Sequence, residues 1–415
     1  MRSPSLCPFE PGSDHVPQIW AGRATELADS EVVANRRLAG VYERGRAFLG
    51  EFGIGKSVLV NRIAQSAEEQ GHWVPARVRL ARGDDSLALL ALSVRELAAE
   101  RDLDARIGHR ARGLLDRIEE LTVPVVGGGV RLRRRPRATS QHRAVSDLLI
   151  AVASLAGEET TAELPNGRLL LLRLDEIQNS ATSEELSQLL TALGDALEAT
   201  TTERDAAGIR RERLLPIVVY LSGLPDFGRQ AAAAGATFSR RLKTVDLEPL
   251  SEPELREALT VFTTTGYEIL ADDGPTVVHM APEAIDLIVT KCLGDPFLFQ
   301  LAGEGAWNAG RGAVITGEEA ERGWAAARRE VTRYAKARLE ALSQQQLGYL
   351  EALAALPEAE RTAAGVAAAL GRDSSAQLAS TAQALDVDRR LIRRTAGRVR
   401  FRSPVVGAYL SGGWP

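Results

Sequence analysis

Gly50-Glu51-Phe52-Gly53-Ile54-Gly55-Lys56-Ser57 is the stretch from which the rest of the chain can be read. It fits the spacing GxxxxGK[ST] and lies between a short apolar run, Ala47-Phe48-Leu49, and a helical pattern from about Lys56 to Gln70 that Gly71 closes. Glycines let the backbone turn so that successive N–H groups face inward, where they can cradle phosphate oxygens. The start of the helix adds a field that favours the same anion. In this pattern Lys56 reaches the outer phosphates as a point charge, and the Ser57 hydroxyl is placed for Mg2+. The whole set Gly50, Glu51, Phe52, Gly53, Ile54, Gly55, Lys56, Ser57 and Val58 is therefore the expected phosphate site.

Outward from this loop, further apolar runs alternate with helical stretches. They lie near Trp73 to Leu80, from Leu169, at Pro216-Ile217-Val218-Val219-Tyr220-Leu221, and around Thr244 to Leu247. Continuous apolar strands separated by helices predict a parallel sheet covered on both faces. The run Leu169 to Asn179, LLLLRLDEIQN, ends in an acidic pair. Asp175 can hold Mg2+ through water, and Glu176 can polarise an attacking water. Arg173 breaks the apolar run. A buried unpaired guanidinium is costly, so Arg173 has either a carboxylate partner or a path to the surface. The strand PIVVYL ends at Ser222-Gly223-Leu224-Pro225, where Ser222 is either a polar group that orients water or an ordinary turn residue.

After about residue 250 the pattern changes. Ser251 and Glu254 have capping-box spacing, and Ile285, Ile288, Val289 and Cys292 share one helical face. The stretch to about 335 reads as helical, without strands. A last unit opens with Ser343 and Gln346 capping a helix. It continues with short helices near Ala363–Leu370 and Ser375–Leu385, and ends in an alternating pair around Thr395-Ala396-Gly397. Helices followed by a hairpin suggest a winged helix-turn-helix. Four parts are expected: an irregular segment 1–20, a nucleotide-binding α/β domain 21–248 with a basic insertion at about 125–143, a helical lid 249–335, and a winged helix over 336–415.

Composition excludes several classes. Two cysteines, Cys7 and Cys292, make neither a disulfide framework nor a zinc site. The net charge of −4 confines any nucleic-acid binding to local patches. No run approaches the ~18 apolar residues a membrane span needs. The start, MRSPSLCPFEPGSDH, lacks the apolar core of a signal peptide. A soluble, cytoplasmic protein is expected, with no membrane partner.

Two arginine-rich stretches remain. RLRRRPRATSQHR, from Arg131 to Arg143, carries six arginines and no acid, and reads as an exposed loop or hairpin. Residues 386–402 hold seven arginines, of which Arg398, Arg400 and Arg402 alternate along one face of the expected wing. Such a comb can straddle the phosphates of double-stranded DNA. The same arginines can instead form a solvated face or pair with acids of this chain.

Together these residues resemble the AAA+ class of P-loop ATPases, most closely its origin-recognition-type and STAND-like branches. Further residues carry the likeness: Ala21-Gly22-Arg23 with Glu26 resembles the segment near the adenine, and Phe238-Ser239-Arg240-Arg241-Leu242 with Leu247-Glu248-Pro249-Leu250-Ser251 resembles the passage into the lid. Gly294-Asp295-Pro296 resembles the GxP motif. The resemblance implies an α/β P-loop sheet followed by a helical lid and a winged helix, with ATP and Mg2+ as ligands. It implies that Ser222 takes the sensor-1 position and that Arg241, or else Arg240, acts on a neighbouring subunit's nucleotide. It implies too that Pro296 packs on the base. The usual lid arginine is missing, since the run continues Phe297-Leu298-Phe299-Gln300, which implies a slow, switch-like ATPase. Two functions fit: a nucleotide-controlled switch whose winged helix binds DNA, or a signalling scaffold whose output is self-association or assembly with a protein partner.

Overall fold

In the computed structural model, residues 1–103, 106–107, 122–125, 129–132, 138–180, 182–204, 209–233, 241–271 and 274–415 are described. They form two compact units. One comprises residues 24–49 and 59–246, the other residues 1–23, 50–58 and 247–415.

The first unit is the α/β sheet that the apolar runs predict. Its elements are α1 (Ala24–Leu38), β1 (Gly45–Leu49), α2 (Lys56–Glu69, whose first turn belongs to the other unit), β2 (Val78–Arg79) and α3 (Ser86–Glu100). The hairpin β3 (Thr122–Val125) and β4 (Gly129–Leu132) comes next, then α4 (Ala138–Glu158), β5 (Leu170–Asp175), α5 (Ser183–Glu198) and a second hairpin, β6 (Thr200–Arg204) with β7 (Arg210–Leu214). β8 (Ile217–Gly223), α6 (Phe227–Ala233) and β9 (Leu242–Asp246) complete it. The five main strands are parallel where they pair, in the order β2-β5-β8-β1-β9. β1, β5 and β8 are mainly apolar, with Arg46, Arg173 and Asp175 among their residues, and almost wholly buried, as central strands covered on both faces must be. Register aligns their C-terminal ends, with Leu49 beside Gly223 and Leu174 beside Leu221.

One face is covered by α3, α4 and α5, whose Leu90, Val94, Leu148, Val152, Leu189 and Leu193 join the strands in a single core. Arg37 of α1 is fully buried; Nε donates to the Ile217 carbonyl and Nη2 to the Leu197 carbonyl, both at 2.8 Å, while Nη1 has no hydrogen-bond partner among the described residues. The basic run expected as an inserted hairpin falls partly on β3–β4 and α4, and its residues 133–137 lie outside the described residues.

The second unit holds α7 (Glu252–Ala258), α8 (Thr260–Thr263), β10 (Tyr267–Ala271), β11 (Gly274–Met280), α9 (Pro282–Cys292), α10 (Pro296–Asn308), β12 (Val314–Ile315) and α11 (Gly317–Ala337). α12 (Gln344–Ala355), α13 (Ala363–Ala369), α14 (Ala379–Gln383), β13 (Ile392–Thr395), β14 (Arg398–Phe401) and α15 (Pro404–Leu410) follow. Capping boxes open α7, with Ser251 and Glu254, and α12, with Ser343 and Gln346.

One expectation is corrected here. The stretch to residue 335 is not strand-free, because β10 and β11 pair antiparallel and β12 adds to β11 in parallel. Its period-2 burial, with Ile269 and Ala271 inward and Glu268 and Leu270 outward, is what the helical reading passed over. The N-terminal segment, with a 3-10 turn at Pro4–Leu6, is built into this unit. Phe9 is 2% exposed, stacked on Phe262 at 5.9 Å and edge-on to Phe299 at 6.1 Å, and Arg2 pairs with Glu319 at 2.9 Å. Burying a ring of that size stabilises by about 2–3 kcal/mol.

The C-terminal helices surround a core of Tyr349, Leu350, Leu353, Val366, Leu385, Ile392 and Val399. The hairpin β13–β14 closes through the two-residue turn Ala396-Gly397, both at positive φ, which matches the twist of its strands.

Candidate functional site

β1 runs straight into the glycine loop, and α2 starts at Lys56. Gly53 and Gly55 have φ of +81° and +85°, values at which a side chain is strained. Lys56 is buried, and its ammonium donates to the carbonyls of Gly50 at 2.9 Å and Glu51 at 2.7 Å. Arg23, at the end of the Gly22-Arg23 segment, is held against the same loop. It donates to the Ile54 carbonyl at 3.0 Å and to the Glu248 carbonyl at 2.9 Å. Pro296, at the first turn of α10, lies 3.8 Å from where a Cβ on Gly55 would stand. The structure thus brings Lys56, Arg23 and Pro296 to one loop. Ser57 and Val58, in the first turn of α2, are half-buried.

More of the second unit converges on this loop than the motifs indicated. Arg338, the residue that ends α11, donates through Nη2 to the Phe52 carbonyl at 2.7 Å and to Asp295 Oδ2 at 2.6 Å. Tyr334, one turn earlier, donates to Asp295 Oδ2 at 2.9 Å and lies 3.3 Å from the Phe52 carbonyl. Asp295 also caps α10 by accepting from the Leu298 N–H at 3.0 Å. Burial pushes the Asp295 carboxyl up, against the pull of Arg338. Glu51 lies 3.6 Å from Arg338, and burial pushes its carboxyl up to about 7, against Arg338 and with Asp295 adding to the rise. Sequence reasoning missed Arg338 and Tyr334, because 286 and 282 residues separate them from Phe52 and no spacing rule connects them.

At the C-terminal edge of the sheet in the first unit, Asp175 is 3% exposed. Its Oδ1 accepts from the Glu176 N–H at 2.9 Å and from the hydroxyl of Ser222, which is wholly buried within β8 and is not a turn residue. Arg77 lies 3.6 Å from Oδ2, and that oxygen has no hydrogen-bond partner among the described residues. A buried carboxylate oxygen in this condition suits an ordered water or cation. Glu176 sits in the left-handed region at φ +56° and accepts from the Gln178 amide, whose oxygen accepts from the Leu224 N–H at 3.1 Å. Gln178 therefore ties Glu176 to the end of β8, a role the sequence did not signal. Arg173 donates to Asn61 at 3.1 Å and lies 3.9 Å from Glu68, so it has a carboxylate nearby. Arg241 precedes β9, an edge strand of the sheet, and pairs with Glu198 at 2.7 Å. Arg240 lies outside the described residues.

Along the hairpin β13–β14, Arg398 and Arg400 project from exposed positions flanking buried Val399. Arg398 donates to the carbonyls of Glu358 and Ala359, and Arg400 lies 3.8 Å from Glu358. Arg402, past the end of β14, is half-buried between Glu248 at 3.8 Å and Asp386 at 3.9 Å. The comb is therefore interrupted at Arg402. With Arg393, these arginines and Glu248 line a cavity of about 420 Å³.

Comparison with known proteins bears on the fold. The Aeropyrum pernix ORC2 protein, solved in complexes with ADPNP and ADP, shares 16% identity over 94% of both chains with a TM-score of 0.51. A Walker-type ATPase of Pyrococcus abyssi shares 14% identity over 94% of this chain and 96% of its own, with a TM-score of 0.56. These likenesses extend over nearly the whole chain, and the fold is that of the AAA+ P-loop ATPases. Residues 333–410 match a family described as a domain of unknown function (DUF8462). No curated protein matches the chain in sequence. Among the described residues no helix is long and apolar enough to cross a membrane, and no group of three or more His, Cys, Asp or Glu is placed to hold a metal ion.

Proposed function

We propose that the chain is an ATP-binding and hydrolysing switch of the AAA+ class, in the cytoplasm, that couples its nucleotide state to DNA binding or assembly through a C-terminal winged helix. The observation that carries this reading is the loop itself. Gly53 and Gly55 hold left-handed backbone, Lys56 is buried, and the strand before it ends in register with the strand that bears Ser222. The loop N–H groups and Lys56 bind the phosphates, and Pro296 packs on the base. Ser57 and Asp175 would hold Mg2+, which when bound neutralises charge on the outer phosphates. Oδ2 of Asp175, paired with Arg77 at 3.6 Å but without a hydrogen-bond partner among the described residues, supports that role. Glu176, held by Gln178, takes a proton from the attacking water, and Ser222 keeps Asp175 in place through its hydroxyl. Arg241 serves a neighbouring copy's nucleotide when subunits meet.

For the output, DNA contact through Arg398, Arg400 and Arg402 is the first reading. The pairing of the wing with Glu248, Glu358 and Asp386 favours a second, a STAND-like scaffold whose winged helix contacts protein. Affinity for a generic DNA duplex measured against salt, with ATP, with ADP and without nucleotide, separates them. DNA contact predicts a steep salt slope that falls by about one to three units when the three arginines are replaced by alanine. An unaltered slope, or no binding in any state, removes DNA from the account.

A further inference from the structure

The α10 helix carries no arginine in the residues after Pro296, and Phe297 packs there on the Tyr334 ring at 4.5 Å. A guanidinium reaches the phosphate loop by another route. Arg338 comes from the end of α11, and its side chain is 6% exposed. Nη2 is within 2.7 Å of three acceptors: the Phe52 carbonyl, Asp295 Oδ2 and the Tyr334 hydroxyl. Nη1 donates to the Ser403 hydroxyl, at the start of α15, at 2.8 Å, and Nε is buried with no hydrogen-bond partner among the described residues. The guanidinium also lies against the Tyr334 ring, 4.6 Å from its centre. Two carboxylates, Glu51 and Asp295, surround this one cation. One Nη2 cannot donate well to three acceptors at once, and Nε donates to none. This arginine is therefore over-subscribed on one nitrogen and idle on another, beside a loop shaped for phosphate.

We propose that Arg338 is a phosphate-sensing residue of this site, one that exchanges the Phe52 carbonyl for the terminal phosphate of a nucleoside triphosphate. The proposal rests on the reading of the loop as a nucleotide site. A guanidinium binds phosphate through two N–H groups in a fork, so Nη2 and idle Nε, which share one edge of the plane, can both engage it. A diphosphate lacks that terminal group and leaves Arg338 on its present partners. Because Nη1 also holds Ser403, turning the guanidinium toward phosphate loosens the start of α15. The C-terminal helices then sense which nucleotide the loop holds.

The test is the ratio of affinities for a non-hydrolysable ATP analogue and for ADP, each with Mg2+, measured by titration calorimetry on the full chain. Arg338→Lys keeps the charge but loses the fork. Arg338→Met with Asp295→Asn removes the buried pair together, so that neither charge is stranded and the helix cap survives. In both variants the triphosphate analogue should bind about 10-fold or more weaker, with ADP within about 3-fold of wild type, the scale of a charge-assisted hydrogen bond. A melting scan confirms that each variant is folded. An unchanged ratio, whether both affinities hold or both fall together, overturns the role of Arg338. Lys56→Ala is run beside them and should weaken both nucleotides. If it binds both as wild type does, the loop reading fails and this proposal fails with it, whereas a Lys56 effect with an unchanged ratio sinks Arg338 alone.

Discussion

Replacing Asp295 by alanine probes the contact that ties α10 and α11 to the glycine loop. The carboxylate is 3% exposed and accepts from Arg338 at 2.6 Å, from Tyr334 at 2.9 Å and from the Leu298 N–H at 3.0 Å. Alanine removes a helix cap, a loss of about 1 kcal/mol. It also leaves a nearly buried guanidinium with Glu51 at 3.6 Å as its remaining carboxylate. Breaking one side of a buried pair typically costs about 3–5 kcal/mol, and the retained Glu51 offsets part of it. A total of about 3–5 kcal/mol follows, with the lost cap and the retained Glu51 roughly cancelling. For a unit of about 200 residues, each kcal/mol moves the midpoint by about 2–4 °C, so scanning calorimetry should show a transition lowered by about 6–20 °C. Asp295→Asn keeps the cap through Oδ1 but sets an amide NH2, which cannot accept from Arg338, in place of Oδ2, so its loss should be smaller only by the cap, about 1 kcal/mol. A transition that Asp295→Ala leaves within about 3 °C of wild type would refute the claim that this pair holds the loop.

Two further predictions concern the loop. Glu51 has a carboxyl raised to about 7 from 4.5, so the folded chain holds its proton more tightly than the unfolded chain. Its contribution to stability is therefore full below pH 4.5 and is lost as pH rises through 7. Glu51→Gln should remove that slope, and denaturant titrations should find the variant gaining on wild type as pH rises; parallel curves would contradict it. Gly53→Ala places a Cβ 1.8 Å from the Tyr334 hydroxyl at φ +81°. The strain alone costs about 1–2 kcal/mol. Adding Tyr334→Phe should recover part of the stability lost, and strictly additive losses would show that the two residues do not meet.

Much of the sheet was legible because each of its strands is a local signal. Leu169 to Leu172 and Pro216 to Leu221 are apolar through and through, as central parallel strands must be, and the loop motif fixed which strand came first. The hairpin β10–β11 was overlooked because its alternation is short and stands among strong helical patterns. The N-terminal segment looked like a lead-in because Phe9 finds its partners, Phe262 and Phe299, some 250 to 290 residues away. The same limit applied at the site. Lys56, Asp175 and Glu176 stand in motifs, whereas Arg338, Tyr334 and Gln178 act through distances that only the fold creates. The arginines of the β13–β14 hairpin were legible as a pattern. Their carbonyl and carboxylate partners, which decide how much charge they present, were not.

The measurement closest to the central claim is ATP binding and single-turnover hydrolysis, with Mg2+, by the full chain and by Lys56→Ala and Glu176→Gln. Wild type should bind and slowly hydrolyse ATP, Lys56→Ala should lose binding, and Glu176→Gln should bind as wild type does while hydrolysis falls by about 100-fold or more, as for loss of a general base. Nucleotide affinity retained in Lys56→Ala, or hydrolysis undiminished in Glu176→Gln, would contradict the account.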